Sequence, residues 1–362
     1  MMTTGRKFPY RIEKQKDVGL AVDLLSILIA LVASIGVAAI LIASSGADPG
    51  RLLLAILKGS FGSKNAIIDT LIKATPIFIT GLATVIAFRA KVWNIGQEGQ
   101  LYAGAIGATF VVLTFPRLNL PSFLYIPLLL LAAVLGGAIW GGIPGYLKAK
   151  YNVNEIVVTV MFNYIMLYLT AFLLGGAWQE PNSHYYNTIR FPDSTALPML
   201  FGSRLHSGFA LALLLSVGVY FLLWRMKLGY EIRAMGINPT ASRYKGIPIQ
   251  AIIFVVMLLS GGISGLAGGI ELLGIQHRLI YGFSASFGFT GILIALLGRL
   301  NPFGVAIAAV FFGALQNGSA AMIIYSNVPR DLVTMIMGLV IIMLLFFEAL
   351  FKFRVRRVQH VD

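Results

Sequence analysis

Ser122-Phe-Leu-Tyr-Ile-Pro-Leu-Leu-Leu-Leu-Ala-Ala-Val-Leu-Gly-Gly-Ala-Ile-Trp-Gly-Gly-Ile-Pro-Gly-Tyr-Leu147 contains no acid, no base and no histidine. A helix that crosses the hydrocarbon of a bilayer needs about 20 apolar residues, and this run supplies them. The nearest bases, Arg117 and Lys148, stand outside it. Working outward, further apolar runs lie at 20–43, 66–88, 98–115, 155–174, 208–224, 249–270, 283–298, 303–324 and 331–351, which makes ten candidate spans. Glycine and proline interrupt several of them, so some are expected to be broken or re-entrant. The predicted fold is all-α and polytopic.

Composition agrees. Hydrophobic residues make up 58% of the 362 residues and charged residues 12%, with mean hydropathy +0.84. A soluble chain carries roughly 25% charged residues. The net charge of +14 therefore reports membrane topology and gives no argument for nucleic acid. With both termini placed inside and ten alternating spans, most Lys and Arg fall on the cytoplasmic side. They include Arg6, Lys7, Arg11, Lys14 and Lys16 at one end and Lys352, Arg354, Arg356 and Arg357 at the other. The expected division is a cytoplasmic basic N-terminus (1–19), a transmembrane domain (20–351) and a cytoplasmic basic tail (352–362). The longest external loop is 175–207, and the longest internal loop, 225–248, is basic. The apolar run after residue 19 is too long for a secretory signal and reads as a retained first span. Cysteine is absent, which removes thiol chemistry and any disulfide framework.

A weak internal repeat relates Lys150-Tyr-Asn-Val-Asn-Glu-Ile-Val-Val-Thr-Val-Met161 to Tyr325-Ser-Asn-Val-Pro-Arg-Asp-Leu-Val-Thr-Met-Ile336. The copies are five spans apart and so enter the membrane from opposite sides. Transporters use such inverted repeats to build a site at the repeat interface.

Four motifs bear on chemistry. In Asn94-Ile-Gly-Gln-Glu-Gly-Gln100, Gly96 and Gly99 bracket Gln97 and Glu98 where a span begins. Unwound backbone at membrane depth is tolerated only where it is buried in protein or lines a cavity, and a carboxylate there is costly unless paired or wet. The motif reads either as a break lining the solute path or as a helix start near the headgroups. In the second motif, Asn154 and Glu155 are placed to cap a helix. Asn163, two turns in, is expected to make an interhelical hydrogen bond or a solute contact. In the third, Lys227 to Pro248, Gly236 ends one short helix and Asn238-Pro239 opens another, a compact design suited to docking a soluble partner. In the fourth, Phe283, Phe287 and Phe289 sit among Gly282, Gly288 and Gly291, where rings beside open backbone suit a flat solute. Packing or lipid-facing aromatics are the alternative.

There is no Gly-x-x-x-x-Gly-Lys-Ser/Thr phosphate loop, so ATP hydrolysis is not expected in this chain. No catalytic constellation, metal-ligand cluster or dense acid relay is visible either.

These motifs, in this order from roughly residue 60 to 350, resemble the permease subunits of bacterial ABC importers in the branched-chain amino acid, ribose and nucleoside superfamily. The Asn94-to-Gln100 form looks most like its nucleoside and simple-sugar branch. The resemblance implies a nucleoside importer with alternating access, no cofactor in this chain, and ATP with Mg on a separate nucleotide-binding ATPase. It further implies a second permease subunit, an external solute-binding protein or lipoprotein, and a bacterial plasma-membrane location. Carried over, Gly229, Arg233, Ala234, Gly236, Asn238, Pro239 and Gly246 fall on the family's cytoplasmic coupling motif. Asn94, Gln97, Glu98, Gln100, Asn163, Phe283, Phe287 and Phe289 are the candidate path residues. Ribose, another sugar or a branched-chain amino acid stay open as solutes. A secondary transporter or a membrane-embedded enzyme is the rival from another class.

Overall fold

The computed structural model describes residues 48–115, 120–200 and 202–326 continuously, with scattered residues between 29 and 44 and between 335 and 346, and two short strands. They divide into two compact units, one made of 1–59 with 318–362 and the other of 60–317.

The helices, most of them in the second unit, follow in chain order. They are α1 (Pro49–Phe61, mostly in the first unit), α2 (Lys64–Arg89), α3 (Gln97–Thr114), α4 (Ser122–Tyr151), α5 (Glu155–Leu174), α6 (Gly208–Arg225), α7 (Lys227–Ile237), α8 (Pro239–Tyr244), α9 (Ile249–Glu271), α10 (Phe287–Leu297) and α11 (Pro302–Ser326). Among the described residues, six helices are long and apolar enough to cross a membrane: α2, α4, α5, α6, α9 with its π-helical extension to Gln276, and α11 as far as Ala320. The start of α3 is polar and buried, with Gln97 and Gln100 withdrawn from solvent, which lowers its mean hydropathy without making it a surface helix.

Glycine organises the core. Gly261 and Gly265 of α9 face Gly137 and Gly141 of α4. A methyl at Gly104 of α3 would collide with the Gly265 backbone, and one at Gly268 with the Leu101 carbonyl. Apolar side chains gain little from leaving lipid, so membrane helices associate through close backbone approach at small residues. The spacing of four puts these glycines on one face of each helix.

Most expected boundaries hold within a few residues. The span at 283–298 does not. Only Phe287–Leu297 is α-helical there, about 16 Å of helix at 1.5 Å per residue, or roughly half a bilayer core. His277 and Ser286, both left-handed at φ 52 and 61, bound an irregular approach to it. Helix α1, amphipathic with Leu54, Leu57 and Phe61 exposed, was not expected. The expectation of a purely helical fold also needs amending. In the first unit β1 (Tyr10–Lys14) pairs antiparallel with β2 (Phe353–Arg357), Ile12 opposite Val355. The candidate spans 20–43 and 331–351 and the second repeat copy lie largely outside the described residues.

Candidate functional site

Helix α2 ends at Arg89. The chain then runs irregularly from Lys91, at φ 54, to Gly96, and α3 begins at Gln97. Such a segment must find partners for its backbone. One face of α5 provides them, through Glu155, Thr159 and Asn163 at spacing i, i+4, i+8. Glu155 Oε1 lies 3.5 Å from the Trp93 N–H. Thr159 Oγ1 accepts from the Ile95 N–H at 3.2 Å. Asn163 Oδ1 accepts from the Gly99 N–H at 2.8 Å, and its Nδ2 donates to the Ile95 carbonyl at 2.8 Å. Glu155 is itself held by Lys148 at 2.9 Å, and Asn154 caps α5 by accepting from the Ile156 N–H. Gly99 permits the approach, since a Cβ there would lie 2.9 Å from Asn163 Cα.

The amide side chains of the break close on each other. Asn94 and Gln100 exchange two hydrogen bonds of 3.0 Å, Asn94 Nδ2 also donates to Ser260 Oγ at 2.9 Å, and Asn94 Oδ1 also accepts from the Gly96 N–H. Gln97 Nε2 donates to Thr84 Oγ1 at 3.1 Å, and the Thr84 hydroxyl donates to the Thr80 carbonyl. Gln97 Oε1 is buried and has no partner among the described residues. Asn94 and Gln100 thus pair with each other, Asn163 serves the backbone of the break, and Gln97 turns to α2.

Glu98 points another way. Its carboxylate accepts from the Gly288 N–H at 2.7 Å, and the Ser284 side chain and the Phe289 N–H lie close by. A methyl at Gly288 would strike the Glu98 backbone. The N-termini of α3 and α10 therefore abut. Of the three phenylalanines, Phe287 is buried, and Phe283 is buried edge-on against Tyr102 with ring centres 4.7 Å apart. Phe289 is 38% exposed.

The expected coupling residues form a second cluster. Gly229 packs α7 against the Leu222 and Leu223 backbone, and Gly236 meets the Arg89 carbonyl so closely that a Cβ would collide with it. Asn238 caps α8 through the Ala241 N–H at 3.0 Å, with Pro239 opening the helix. Gly246 turns the chain out of α8 at φ 79. Arg89 donates from Nε to the Leu300 carbonyl at 3.0 Å and lies over the Trp224 ring, so the ends of α2, α6 and α10 and the face of α7 meet. Arg233 and Ala234 line an open groove of about 280 Å3 with Tyr230, Ile237 and Ala241. Arg233 Nε is buried without a partner among the described residues. Ile237 and Tyr244 are 81% and 90% exposed.

Thr84, Thr159, Ser260 and Ser284 were not singled out from the sequence. The fourfold spacing of Glu155, Thr159 and Asn163 was the available signal for one of them. Among the described residues no group of three or more His, Asp or Glu side chains is arranged to hold a metal ion.

A family model described as branched-chain amino acid transport system / permease component matches residues 66–345. The chain belongs to that family. Among its relatives, the guanosine ABC transporter permease protein of Bacillus subtilis is 35% identical over 322 residues, 87% of this chain and 91% of the relative. The glucose ABC transporter permease protein of Haloferax volcanii is 32% identical over 340 residues, 90% and 88% of the two chains. The nucleoside ABC transporter permease protein of Lactococcus lactis is 31% identical over 325 residues, 87% and 88%. The matched region spans both clusters.

Proposed function

We propose that this chain is the membrane-spanning subunit of an ATP-driven ABC importer for nucleosides. The contact of α7 with the end of α2 carries this reading: Gly236 sits against the Arg89 carbonyl, two residues before the irregular segment 91–96. A push on α7 reaches the break without passing through a flexible linker. The exposed Ile237 and Tyr244, beside the groove that Arg233 lines, form a mixed apolar and basic surface, suited to a soluble nucleotide-binding ATPase that holds ATP and Mg. A second permease subunit and an external solute-binding protein complete the assembly in a bacterial plasma membrane, with both termini cytoplasmic.

Guanosine and nucleoside permeases among the relatives favour a nucleoside. The glucose permease at similar identity keeps a sugar as the second reading. The test is uptake of radiolabelled guanosine, uridine, glucose and leucine by cells with and without the gene, before and after ATP depletion. Loss of nucleoside uptake alone, dependent on ATP, is the expected result. Lost glucose uptake with normal nucleoside uptake moves the solute, and uptake that follows the ion gradient instead of ATP overturns the mechanism.

In the path itself, Glu98, Ser284 and Phe289 are the side chains we assign to the solute. Asn94, Gln100 and Asn163 act one layer behind them by holding the break open. Gln97 belongs to both layers, because one of its amide atoms is bonded and the other is free.

A further inference from the structure

Two helices begin at the same place in this molecule. Helix α3 starts at Gln97 and α10 at Phe287, and the Gly288 N–H donates to Glu98 in the first turn of α3. Helix α10 ends at the Arg89 level, through the Arg89–Leu300 bond. Its length, about half a bilayer core, therefore puts its start deep in the membrane. Each helix N-terminus carries roughly half a positive charge. Two ends facing one point amount to about +1, and one carboxylate there brings the sum to about zero. The hydrogen bond that the structure gives Glu98 here comes from the uncharged Gly288 N–H, on one oxygen of the carboxylate.

An independent feature shows what else the point is equipped to meet. Gln97 Oε1, fully buried one residue away, is an acceptor without a donor. With Phe289 exposed beside Ser284, the local inventory is an aromatic face, a hydroxyl and two acceptors. This suits a hydroxyl-bearing, uncharged solute and offers nothing to a phosphate except the helix ends that Glu98 occupies.

We infer that Glu98 is a charge-selectivity residue: by neutralising two opposed helix N-termini, it makes the path accept neutral hydroxylated solutes and reject their anionic phosphate esters. This rests on the reading of the chain as a nucleoside or sugar permease. A path without that carboxylate becomes an anion site of the kind helix N-termini form elsewhere.

The test uses the complete permease–ATPase complex in nanodiscs, open on both faces. Binding of radiolabelled uridine against uridine 5′-monophosphate, and of glucose against glucose 6-phosphate, is measured for wild type, Glu98→Gln, Glu98→Asp and the double variant Glu98→Gln/Ser284→Asp. The expected result is a rise of at least tenfold in the ester-to-neutral binding ratio for Glu98→Gln, reduced by salt. Glu98→Asp and the double variant, which keep or return a carboxylate, are expected to stay near wild type. An unchanged ratio in an assembled Glu98→Gln complex overturns the inference alone. Wild type that binds neither uridine nor glucose overturns the underlying reading and the inference with it. Should Glu98→Gln not assemble, Ser284→Asp by itself is expected to raise binding of the cationic 5′-amino-5′-deoxyuridine at least tenfold relative to uridine, and no rise overturns the inference.

Discussion

Asn163 spends both atoms of its side-chain amide on the backbone of the break. Its amide serves the Gly99 N–H and the Ile95 carbonyl together. Replacing it with leucine leaves both buried backbone groups without partners, at about 1–3 kcal/mol each. Asn163→Leu is therefore expected to lower the melting temperature of the purified protein in mild detergent by several degrees, read by tryptophan fluorescence. Met161→Leu, on the exposed face of the same helix, is the control and is expected to melt like wild type. Equal melting of the two variants would remove the ladder from the account. This scale also marks the limit of the sequence. The glycines of Asn94-Ile-Gly-Gln-Glu-Gly-Gln100 announce a break, and the structure has one. The same letters do not say whether an amide turns to solute or to protein. Asn94 turns to Gln100 and Ser260, and Ser260 is 166 residues away.

At the scale of elements, the loop 175–207 and the helices α7 and α8 respond to different variables. The loop 175–207 is bonded along the approach to α10. Thr188 and Leu279 exchange backbone and side-chain bonds, the Phe191 N–H donates to the His277 carbonyl, and Glu180 pairs with Arg278 at 3.3 Å. His206 lies beneath this cover. Burial, followed by the charge of nearby His277, holds it well below the ordinary histidine range, at about 4. His277, itself lowered by burial and by Arg190 and partly restored by Asp193, is the titratable group facing it. The folded state thus prefers neutral His206, while an opened loop binds a proton near pH 6.5. Stability from this group is complete above that value and is lost as pH falls from about 6.5 towards 4. Hydrogen exchange of the 186–191 and 277–281 amides is expected to be faster at pH 5 than at pH 7.5, and His206→Gln is expected to flatten that difference. A wild-type protein with the same protection at both values would contradict it.

At the contact of α7 with α2, Gly236→Leu forces α7 off the Arg89 carbonyl. ATPase activity with at least a fivefold loss of uptake per ATP is the expected signature, measured in proteoliposomes, with normal coupling as the refuting outcome. The short helices α7 and α8 were legible because Gly236, Asn238 and Pro239 are local stop and start signals. The shortness of α10 was not, because the apolar letters of 283–298 do not reveal that Ser286 turns left-handed and delays the helix to Phe287.

For the whole molecule, the open question is which side of the membrane each end occupies, and the terminal ribbon gives it a physical handle. Strands β1 and β2 are hydrogen-bonded neighbours in an antiparallel register. Two strands cannot pair across a bilayer, because extended backbone is not tolerated in lipid with unsatisfied groups. Pairing requires both ends on one face and an even number of crossings, whichever face that is. The sequence alone offered only the charge count for this, since two five-residue strands separated by the full transporter leave no periodic signal. The chain has no native cysteine, so the pairing can be trapped directly. Cα atoms of opposed residues in an antiparallel pair lie about 4.5–5.5 Å apart, within reach of a disulfide. Ile12→Cys with Val355→Cys, which are register partners, is expected to cross-link on mild oxidation of membranes and to run faster on a non-reducing gel. The single variants are expected not to shift. In intact cells an impermeant maleimide is expected to leave both single cysteines unlabelled, and permeabilisation is expected to label them. Cross-linking with labelling from outside would keep the ribbon and invert the topology. Labelling of one end from each side would require an odd number of crossings and dissolve the ribbon.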